Sequence, residues 1–352
     1  MHQMKMYIRS AGNISPQHSL DTETFFQTRE HTSGNHLKAI EPDYGQFIDS
    51  KMIRRMSRIV KMGVAAALTC LKNGKVEMPG ALLTATAYGC LEDTSLFLRR
   101  MIEFEEKLLS PTAFIQSTHN TVGAQIALML KCHNYNNTIV HRYFSFENAI
   151  SETALLLEEG LGPVLLGAVD ENTEDRQAIL SRFGLYRKTI SKTAVQGNKY
   201  SGNTAGEGAV FFLMDKDAGN DPLACLHAVQ TIYKPETPEK VELSIIQFVE
   251  TNGLSMKEIG LVLTAHNGND DEDRTGRNLI NSVFAGIPHF SYKTLSGDFP
   301  TSAGFALWLG ALLLKEQKSP DWLFKITFPI KNILIHSHFE NTHHSLYLIS
   351  AC

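Results

Sequence analysis

The sequence predicts an α/β protein made of two similar halves, with mostly parallel sheets covered by helices on both faces. Three observations lead to this fold class. The 352 residues are 43% hydrophobic and 20% charged, an ordinary globular composition that is long enough for two core-forming units. Extended and helical segments alternate along most of the chain. The same order of segments recurs after about 180 residues, roughly half of the chain.

The first unit begins and ends with a helix. Apolar residues at helical spacing predict a helix over residues 51–73. Residues 81–88 have the apolar run of a strand buried on both faces, and a helix over residues 94–109 follows the turn. A short extended run over residues 113–117 and a helix over residues 122–131 complete the unit. The order is helix, strand, helix, strand, helix.

The second unit repeats this order. Its helix, strand, helix, strand and helix are expected over residues 241–252, 260–265, up to 284 after an acidic turn at 270–273, 289–293 and 302–315. Between the units we expect a strand, a helix and a strand over residues 138–142, 147–159 and 163–169. An opening strand near residues 5–10 and a loop over residues 19–36 precede the first unit.

The boundary between the halves is expected in a crossover rich in Gly, Asn, Ser and Lys over residues 188–208. We therefore divide the chain into an N-terminal half, residues 1–200, and a C-terminal half, residues 201–352. Ligands bind beyond the carboxyl ends of parallel strands. Functional residues are thus expected in loops that begin at Tyr88, Ser117, Val169, His266 and Lys293.

Charge and composition exclude several classes of function. With 33 Lys+Arg against 37 Asp+Glu and no long basic run, we expect no nucleic-acid partner. The longest apolar stretches, such as residues 305–314, are shorter than a membrane span. The first 15 residues lack the apolar region of a signal peptide, so we expect a cytoplasmic chain. The five scattered cysteines predict neither a disulfide framework nor a structural zinc site.

Several short motifs in one colinear order resemble those of the β-ketoacyl synthases. They cover the chain from about residue 51 to residue 348: an early helix at residues 53–67, GEGA at 206–209, AHNGN at 265–269 for the family's HGTGT, KTLSG at 293–297 for its KSxxGH, and SHFENT at 337–342 for its GFGGT. The resemblance implies a thiolase-like fold, in which duplicated α/β halves form a layered αβαβα arrangement.

The chemistry of the family is altered at the positions that these motifs identify. A condensing synthase needs a Cys thiolate at a helix N-terminus, where the helix dipole lowers the thiol pKa. The resemblance places residues 117–121 at this nucleophile segment and His119 at the nucleophile position. His266 matches the first family histidine, Lys293 matches the lysine, and Asp298 stands at the second histidine. An ionised carboxylate cannot donate to an enolate oxygen.

The loop that gates the acyl chain in the family is altered as well. Phe339 is present, but Glu340 and Asn341 replace its small glycines. Such losses resemble the chain-length-factor class, ketosynthase-like subunits that pair with an active ketosynthase and shape its product tunnel. Within this class, the chain most resembles the versions found in aryl polyene and flexirubin type pathways.

The leading hypothesis is a non-condensing chain-length-factor partner of an active β-ketoacyl-ACP synthase in fatty acid or polyketide (polyene) biosynthesis. Its expected partners are the ketosynthase in a heterodimer, or a second copy, and acyl carrier protein. The alternative is a working acyltransferase or decarboxylase with His119 or Cys90 as nucleophile. A third hypothesis is a homodimeric scaffold, because the family dimerises through the strand assigned here to residues 113–117.

No cofactor and no metal are predicted. The glycine-rich residues 202–208 lack the GxxxxGK[ST] pattern of a phosphate loop. The acidic residues 270–273 lack the alternating spacing of a calcium loop. His336, His338, His343 and His344 could suggest zinc, but no obvious fourth ligand besides Glu340 accompanies them.

Overall fold

The computed structural model describes residues 5–30, 34–107, 109–186, 203–269, 272–320, 322–323 and 329–352. The strands in these residues are β1 (Met6–Ile14), β2 (Ala81–Ala85), β3 (Tyr135–Ile139), β4 (Val164–Asp170), β5 (Gly208–Asp215), β6 (Ala224–Tyr233), β7 (Leu261–Thr264), β8 (His289–Ser291), β9 (Asn332–Phe339) and β10 (His343–Ser350).

The α-helices alternate with these strands. They are α1 (Thr22–Gln27), α2 (Ser50–Ile53), α3 (Arg58–Gly74), α4 (Leu91–Glu103), α5 (Pro111–Gln116), α6 (Thr121–Leu130), α7 (Ser145–Glu158), α8 (Glu174–Arg182), α9 (Pro238–Thr251), α10 (Asp273–Asn281), α11 (Lys293–Ser296) and α12 (Ala303–Glu316). None of the helices in the described part of the chain is long and apolar enough to cross a membrane.

All ten strands belong to one hydrogen-bonded sheet with the order β3-β2-β4-β5-β1-β6-β10-β9-β7-β8. Read from each edge to the centre, the two halves of the sheet have the same order of strands. In both halves the third strand of the half lies at the edge, followed by the second, fourth, fifth and first. The duplication predicted from the repeat is therefore present, and the halves meet where β1 pairs with β6.

The sheet is mixed, which corrects the expectation of mostly parallel sheets. Four strands of each half run in one direction, but β5 and β10 run against them. Each reversed strand lies between two others and makes two antiparallel pairs, and the central pair of β1 and β6 is antiparallel as well. Five of the nine strand pairs are therefore antiparallel, and only those among the outer strands are parallel. Segment order alone could not reveal a reversed strand, because its buried side chains are as apolar as those of its neighbours.

Three apolar clusters explain the layers. In the first cluster, α7 and α12 pack against strands of both halves. In the second, α3 and α6 cover the opposite face of the first half. In the third, α9 and α10 cover the opposite face of the second half. This is the layered αβαβα arrangement of the thiolase-like fold.

Several predicted segments need correction. Residues 113–117 are not a strand, because α5 occupies residues 111–116 and begins with a proline in its first turn. The edge strand is β3, which is offset from the predicted residues 138–142. The predicted helix over residues 51–73 is broken into α2 and α3. The opening strand is present as β1, and α1 lies inside the predicted loop over residues 19–36.

The predicted boundary between the halves, at residue 200, lies outside the described residues. β5 lies beyond that position in the chain and pairs with β4 and β1 of the first half. The halves are therefore joined in the sheet across the β1 and β6 pair, while the division of the chain at residue 200 stays a prediction.

Candidate functional site

A small cavity lies where the two halves meet, at the start of α7. The second half contributes α11, the segment that follows it and the turn between β9 and β10. Its free space has a volume of about 10 Å³, which is at the lower limit for one water molecule. The lining residues are Tyr143, Phe144, Lys293, Asp298, Phe299, Pro300, Ser302, Ser337, His338, Phe339, His343 and Ser345.

A buried ion pair forms one wall of the cavity. Nζ of Lys293, at the start of α11, lies 2.6 Å from Oδ1 of Asp298, and both side chains are almost fully buried. Lys293 also donates to the backbone carbonyl of His338. Burial alone would lower the pKa of Lys293, but the Asp298 carboxylate beside it raises the pKa above its ordinary value. The site thus holds a fixed ammonium and carboxylate.

Asp298 is tied to other polar groups besides Lys293. Asn203 Nδ2 donates to Asp298 Oδ2 at 2.8 Å, and the same amide nitrogen lies 3.4 Å from both carboxylate oxygens of Glu272. Burial raises the pKa of Glu272, and the neighbouring Asp298 carboxylate raises it further. Asp298 is therefore a salt-bridged acceptor. It does not offer the proton that a histidine would offer at this position.

Tyr143 occupies the helix start that faces this ion pair. It lies in a single 3₁₀ turn that runs directly into α7. Arg142 before it has a φ of 48°, a left-handed conformation that costs energy for a residue with a side chain and is common at functional sites. The rings of Tyr143 and Phe339 stack with centroids 3.4 Å apart and planes 13° apart. This stack fills the space in front of α7.

A polar network holds the hydroxyl side of Tyr143. Burial raises the pKa of Tyr143, as does its hydrogen bond with Tyr88. Arg176 lies over the rings of Tyr88 and Tyr186, 5.1 and 5.3 Å from the ring centroids. Arg176 donates to the Tyr186 hydroxyl, and that hydroxyl donates to the backbone carbonyl of Asp298. The aromatic side chain in the first half is thus connected to the ion pair in the second.

His266 lies close to the site but does not line the cavity. Its Nδ1 is 3.1 Å from the Thr264 hydroxyl. Its Nε2 faces Gly276 of α10 so closely that a Cβ there would come within 2.3 Å. Burial lowers the pKa of His266, so it is neutral at pH 7. Because Gly276 has no side chain, the His266 ring can pack against α10 at this position.

The other expected nucleophiles are not part of this cluster. His119 is exposed and lies against Gly89, in the turn between α5 and α6. Cys90 is buried at the start of α4, and burial raises the pKa of its thiol far above neutrality. The structure therefore brings Lys293, Asp298 and Phe339 together and places His119 and Cys90 elsewhere.

The loop with Glu340 and Asn341 is a tight turn between β9 and β10. Both residues have positive φ, 48° and 53°, as the two central residues of a type I′ turn do. Phe339 ends β9 and pairs with His343 at the start of β10. Because this pairing fixes the backbone of Phe339, its ring is held over Tyr143 by the hairpin.

Four histidines pack together behind Lys293. His336 and His338 share a face of β9, His344 comes from β10, and His266 follows β7. Nε2 of His336 lies 3.1 Å from Nδ1 of His344, while both ring nitrogens of His338 find no hydrogen-bond partner in the described part of the chain. Burial lowers the pKa of His336 and of His338 well below the ordinary value. In the described part of the chain, no group of three or more His, Cys, Asp or Glu residues is arranged to hold a metal.

Tyr143 is the site residue that sequence reasoning missed. The sequence does contain a signal for it, because a strand near residues 138–142 and a helix over residues 147–159 were both expected, and Tyr143 lies between them. A residue at the junction of a strand and a helix N-terminus is a standard place for a functional side chain. The expectation for His119 came from the resemblance, which placed residues 117–121 at the nucleophile segment, and the strand expected directly before that segment, over residues 113–117, is helical.

Comparison with known proteins supports the fold and its class. Residues 28–179 match the family model of the β-ketoacyl synthase N-terminal domain. A solved structure described as the ishigamide ketosynthase/chain length factor superposes with a TM-score of 0.80 and 15% identity, covering 99% of this chain and 100% of that one. Comparison with curated proteins gives no significant match.

Two further solved structures have the same fold. A β-ketoacyl synthase from Burkholderia phymatum STM815 has a TM-score of 0.78 and 12% identity over 99% of both chains. The complex AntDE:AntF, a type II PKS acyl carrier protein with its ketosynthase bound to the hexaketide, gives a TM-score of 0.73 and 15% identity over 99% of both chains. The expected resemblance to the β-ketoacyl synthases is confirmed, and the chain has their thiolase-like fold.

Proposed function

We propose that this chain is a ketosynthase-like subunit that does not condense acyl groups itself but pairs with an active β-ketoacyl-ACP synthase and shapes its product. The observation that carries the proposal is the aromatic stack at the start of α7. In a condensing enzyme that position needs a thiolate with open space before it. Here Tyr143 stands there, stacked on Phe339, and leaves about 10 Å³ of free space.

The groups around Tyr143 support the same interpretation. The described residues that line the cavity include no cysteine. His266 faces α10 and not the cavity, and Asp298 is salt-bridged to Lys293. A phenol whose pKa is raised by burial is a poor nucleophile. We therefore assign the nucleophile position to Tyr143 in place of His119, and we regard it as inert.

The edge of the first half supports a partner subunit. β3 pairs on one side with β2, and its other side is the edge of the sheet. Exposed apolar side chains lie on β3, directly after it and on α7: Tyr135, Val140 and Leu155 are 41%, 45% and 60% exposed, and the Tyr135 hydroxyl donates to Glu152 of α7. An unpaired edge beside exposed apolar residues favours association with another chain. We call β3 together with Val140 and Leu155 the β3 edge surface.

The occupant that we propose for this surface is the active ketosynthase, with acyl carrier protein delivering its acyl groups, in the cytoplasm and in a fatty acid or polyketide pathway. The similarity to a ketosynthase/chain length factor structure supports a ketosynthase over an unrelated protein. A second copy of this chain would fit the same edge, so a homodimer is the outcome that the experiment must separate.

The test is co-expression with candidate ketosynthases, followed by native mass spectrometry and incubation with acyl-loaded carrier protein. We expect a one-to-one heterodimer in which the ketosynthase gains the acyl group and this chain stays unmodified. Condensation of acyl and malonyl thioesters by this chain alone, or an acyl group on His119 or Cys90, would contradict the proposal. A chain that stays a homodimer beside every ketosynthase tested would contradict the partner.

A further inference from the structure

The stack of Tyr143 on Phe339 closes the space in front of α7 from two sides. Tyr143 comes from the first half and Phe339 from the β9–β10 hairpin of the second half. Their ring centroids are 3.4 Å apart, closer than the other aromatic contacts of the site, such as the 5.4 Å between Tyr143 and His343. We call the two rings the plug.

The plug is supported from outside the cavity. Tyr88 holds the Tyr143 hydroxyl, and Arg176 holds Tyr88 and Tyr186 by lying over their rings. The Asn172 side chain accepts a hydrogen bond from Arg176 at 2.9 Å. The hairpin pairing fixes the backbone of Phe339 as well, so both rings project from backbone positions that the fold determines.

The residues around the plug have the features of a binding site. The 14 residues of α7 point their N-terminus at the position of Tyr143, where a thiol would have a lowered pKa. Ser302, Ser337 and His338 line the same cavity as polar groups, and both ring nitrogens of the buried His338 have no hydrogen-bond partner among the described residues. Removing the Tyr143 ring would add its volume to this cavity.

We infer that Tyr143 and Phe339 plug a latent acyl-thioester site, and that this plug keeps the chain from reacting. The substrate class rests on the proposed function. With a thiol in place of Tyr143, the sulfur attacks the carbonyl carbon of the thioester. A carbon–sulfur bond to the protein forms, the bond to the pantetheine sulfur breaks, and the proton of the protein thiol ends on the released pantetheine thiol.

The experiment compares the full-length wild-type chain with Tyr143→Cys, using octanoyl-CoA as the acyl donor. Intact mass and peptide mapping report the adduct. Leu243→Cys, on the 54% exposed Leu243 of α9, is the matched control for an ordinary surface thiol. We expect about one acyl group per chain at position 143 of Tyr143→Cys, and less than roughly a tenth of that in the wild type and the control.

Circular dichroism and the thermal midpoint establish that Tyr143→Cys is folded. A folded Tyr143→Cys that is not acylated, or is acylated no faster than Leu243→Cys, overturns the inference. If Tyr143→Cys does not fold, Phe339→Cys removes the other ring, and octanoyl-CoA must then slow its alkylation by iodoacetamide by about threefold or more. Absence of that protection overturns the inference.

The result also separates this inference from the proposed function. An acylated or condensing wild-type chain would contradict the proposed function. An inert Tyr143→Cys beside an inert wild type overturns only the plug.

Discussion

The helices α7 and α12 hold equivalent places in the two halves but differ in what covers them. Each follows the edge strand of its half, β3 or β8, and each packs into the cluster shared by both halves. Residues 303–314 of α12 are all buried. In contrast, α7 has an exposed stripe that includes Leu155, which is 60% exposed.

The difference teaches that the rest of the chain covers α12 from residue 303 to residue 314, whereas α7 keeps an exposed stripe that another chain can contact. The two helices approach each other at their starts, because a Cβ on Gly304 would lie 3.8 Å from the Phe146 ring. The candidate site lies at this junction. It therefore has walls from both halves, which include Tyr143 before α7 and Ser302 before α12.

The largest expected effect is on the free energy of unfolding, when a leucine of α12 and a leucine of α7 are each replaced by alanine. Leu309 of α12 is fully buried, and Leu155 of α7 is exposed. We expect Leu309→Ala to lower the free energy of unfolding by about 2–5 kcal/mol, because it removes buried contacts and leaves a cavity. Leu155→Ala is expected to change it by less than about 0.5 kcal/mol. Urea unfolding of the wild type and both variants measures these two changes in the free energy of unfolding.

Equal losses in the two variants would mean that α7 is covered within the chain itself. An unchanged m-value is the control, since a variant with a changed m-value has an altered denatured or native state and cannot be compared directly.

Much of this architecture could be predicted from the sequence because buried segments are apolar. Residues 81–88 and 260–265 were recognised as strands, and β2 and β7 lie within them. The edge strand β3, Tyr-Asn-Asn-Thr-Ile, was misplaced because its first residues are exposed and polar. α5 was mistaken for a strand because Phe114 and Ile115 are apolar, yet they are 57% and 64% exposed.

The candidate site could be predicted from the sequence in part. Lys293, Asp298 and Phe339 stand in short motifs that a sequence displays directly. Tyr143 belongs to no motif, and only its place between β3 and α7 gives it a role. The orientation of His266 depends on Gly276, ten residues further along the chain, and no local pattern contains that contact.

A second prediction concerns how the stability of the folded chain changes at low pH because of the buried His338. Burial lowers the pKa of His338 well below its ordinary value, whereas in the unfolded chain it titrates near 6.5. Below pH 6.5 the unfolded chain binds a proton that the folded chain does not bind. The stability is thus fully present above this pH and is lost as the pH falls.

In the His338→Phe variant the unfolded chain cannot bind this proton at position 338. The substitution also removes no hydrogen bond between the ring and the described residues. We expect the variant to be at least as stable as the wild type at pH 7.5. The wild type should then lose about 1.4 kcal/mol per pH unit relative to the variant below pH 6.5. Urea unfolding at several pH values between 7.5 and 5 measures the difference. A difference that does not depend on pH would show that His338 is not the titrating group.

The smallest expected change in free energy concerns the exposed stripe of α7. Leu155→Asp places a charge on the proposed β3 edge surface, and Leu243→Asp places the same charge on α9, where Leu243 is 54% exposed. Burying an unpaired charge in an interface is unfavourable. We expect Leu155→Asp to weaken the heterodimer with the ketosynthase about tenfold, which corresponds to about 1.4 kcal/mol. Leu243→Asp should leave the dissociation constant unchanged. If both variants bind as the wild type does, the partner covers a surface other than the exposed stripe of α7.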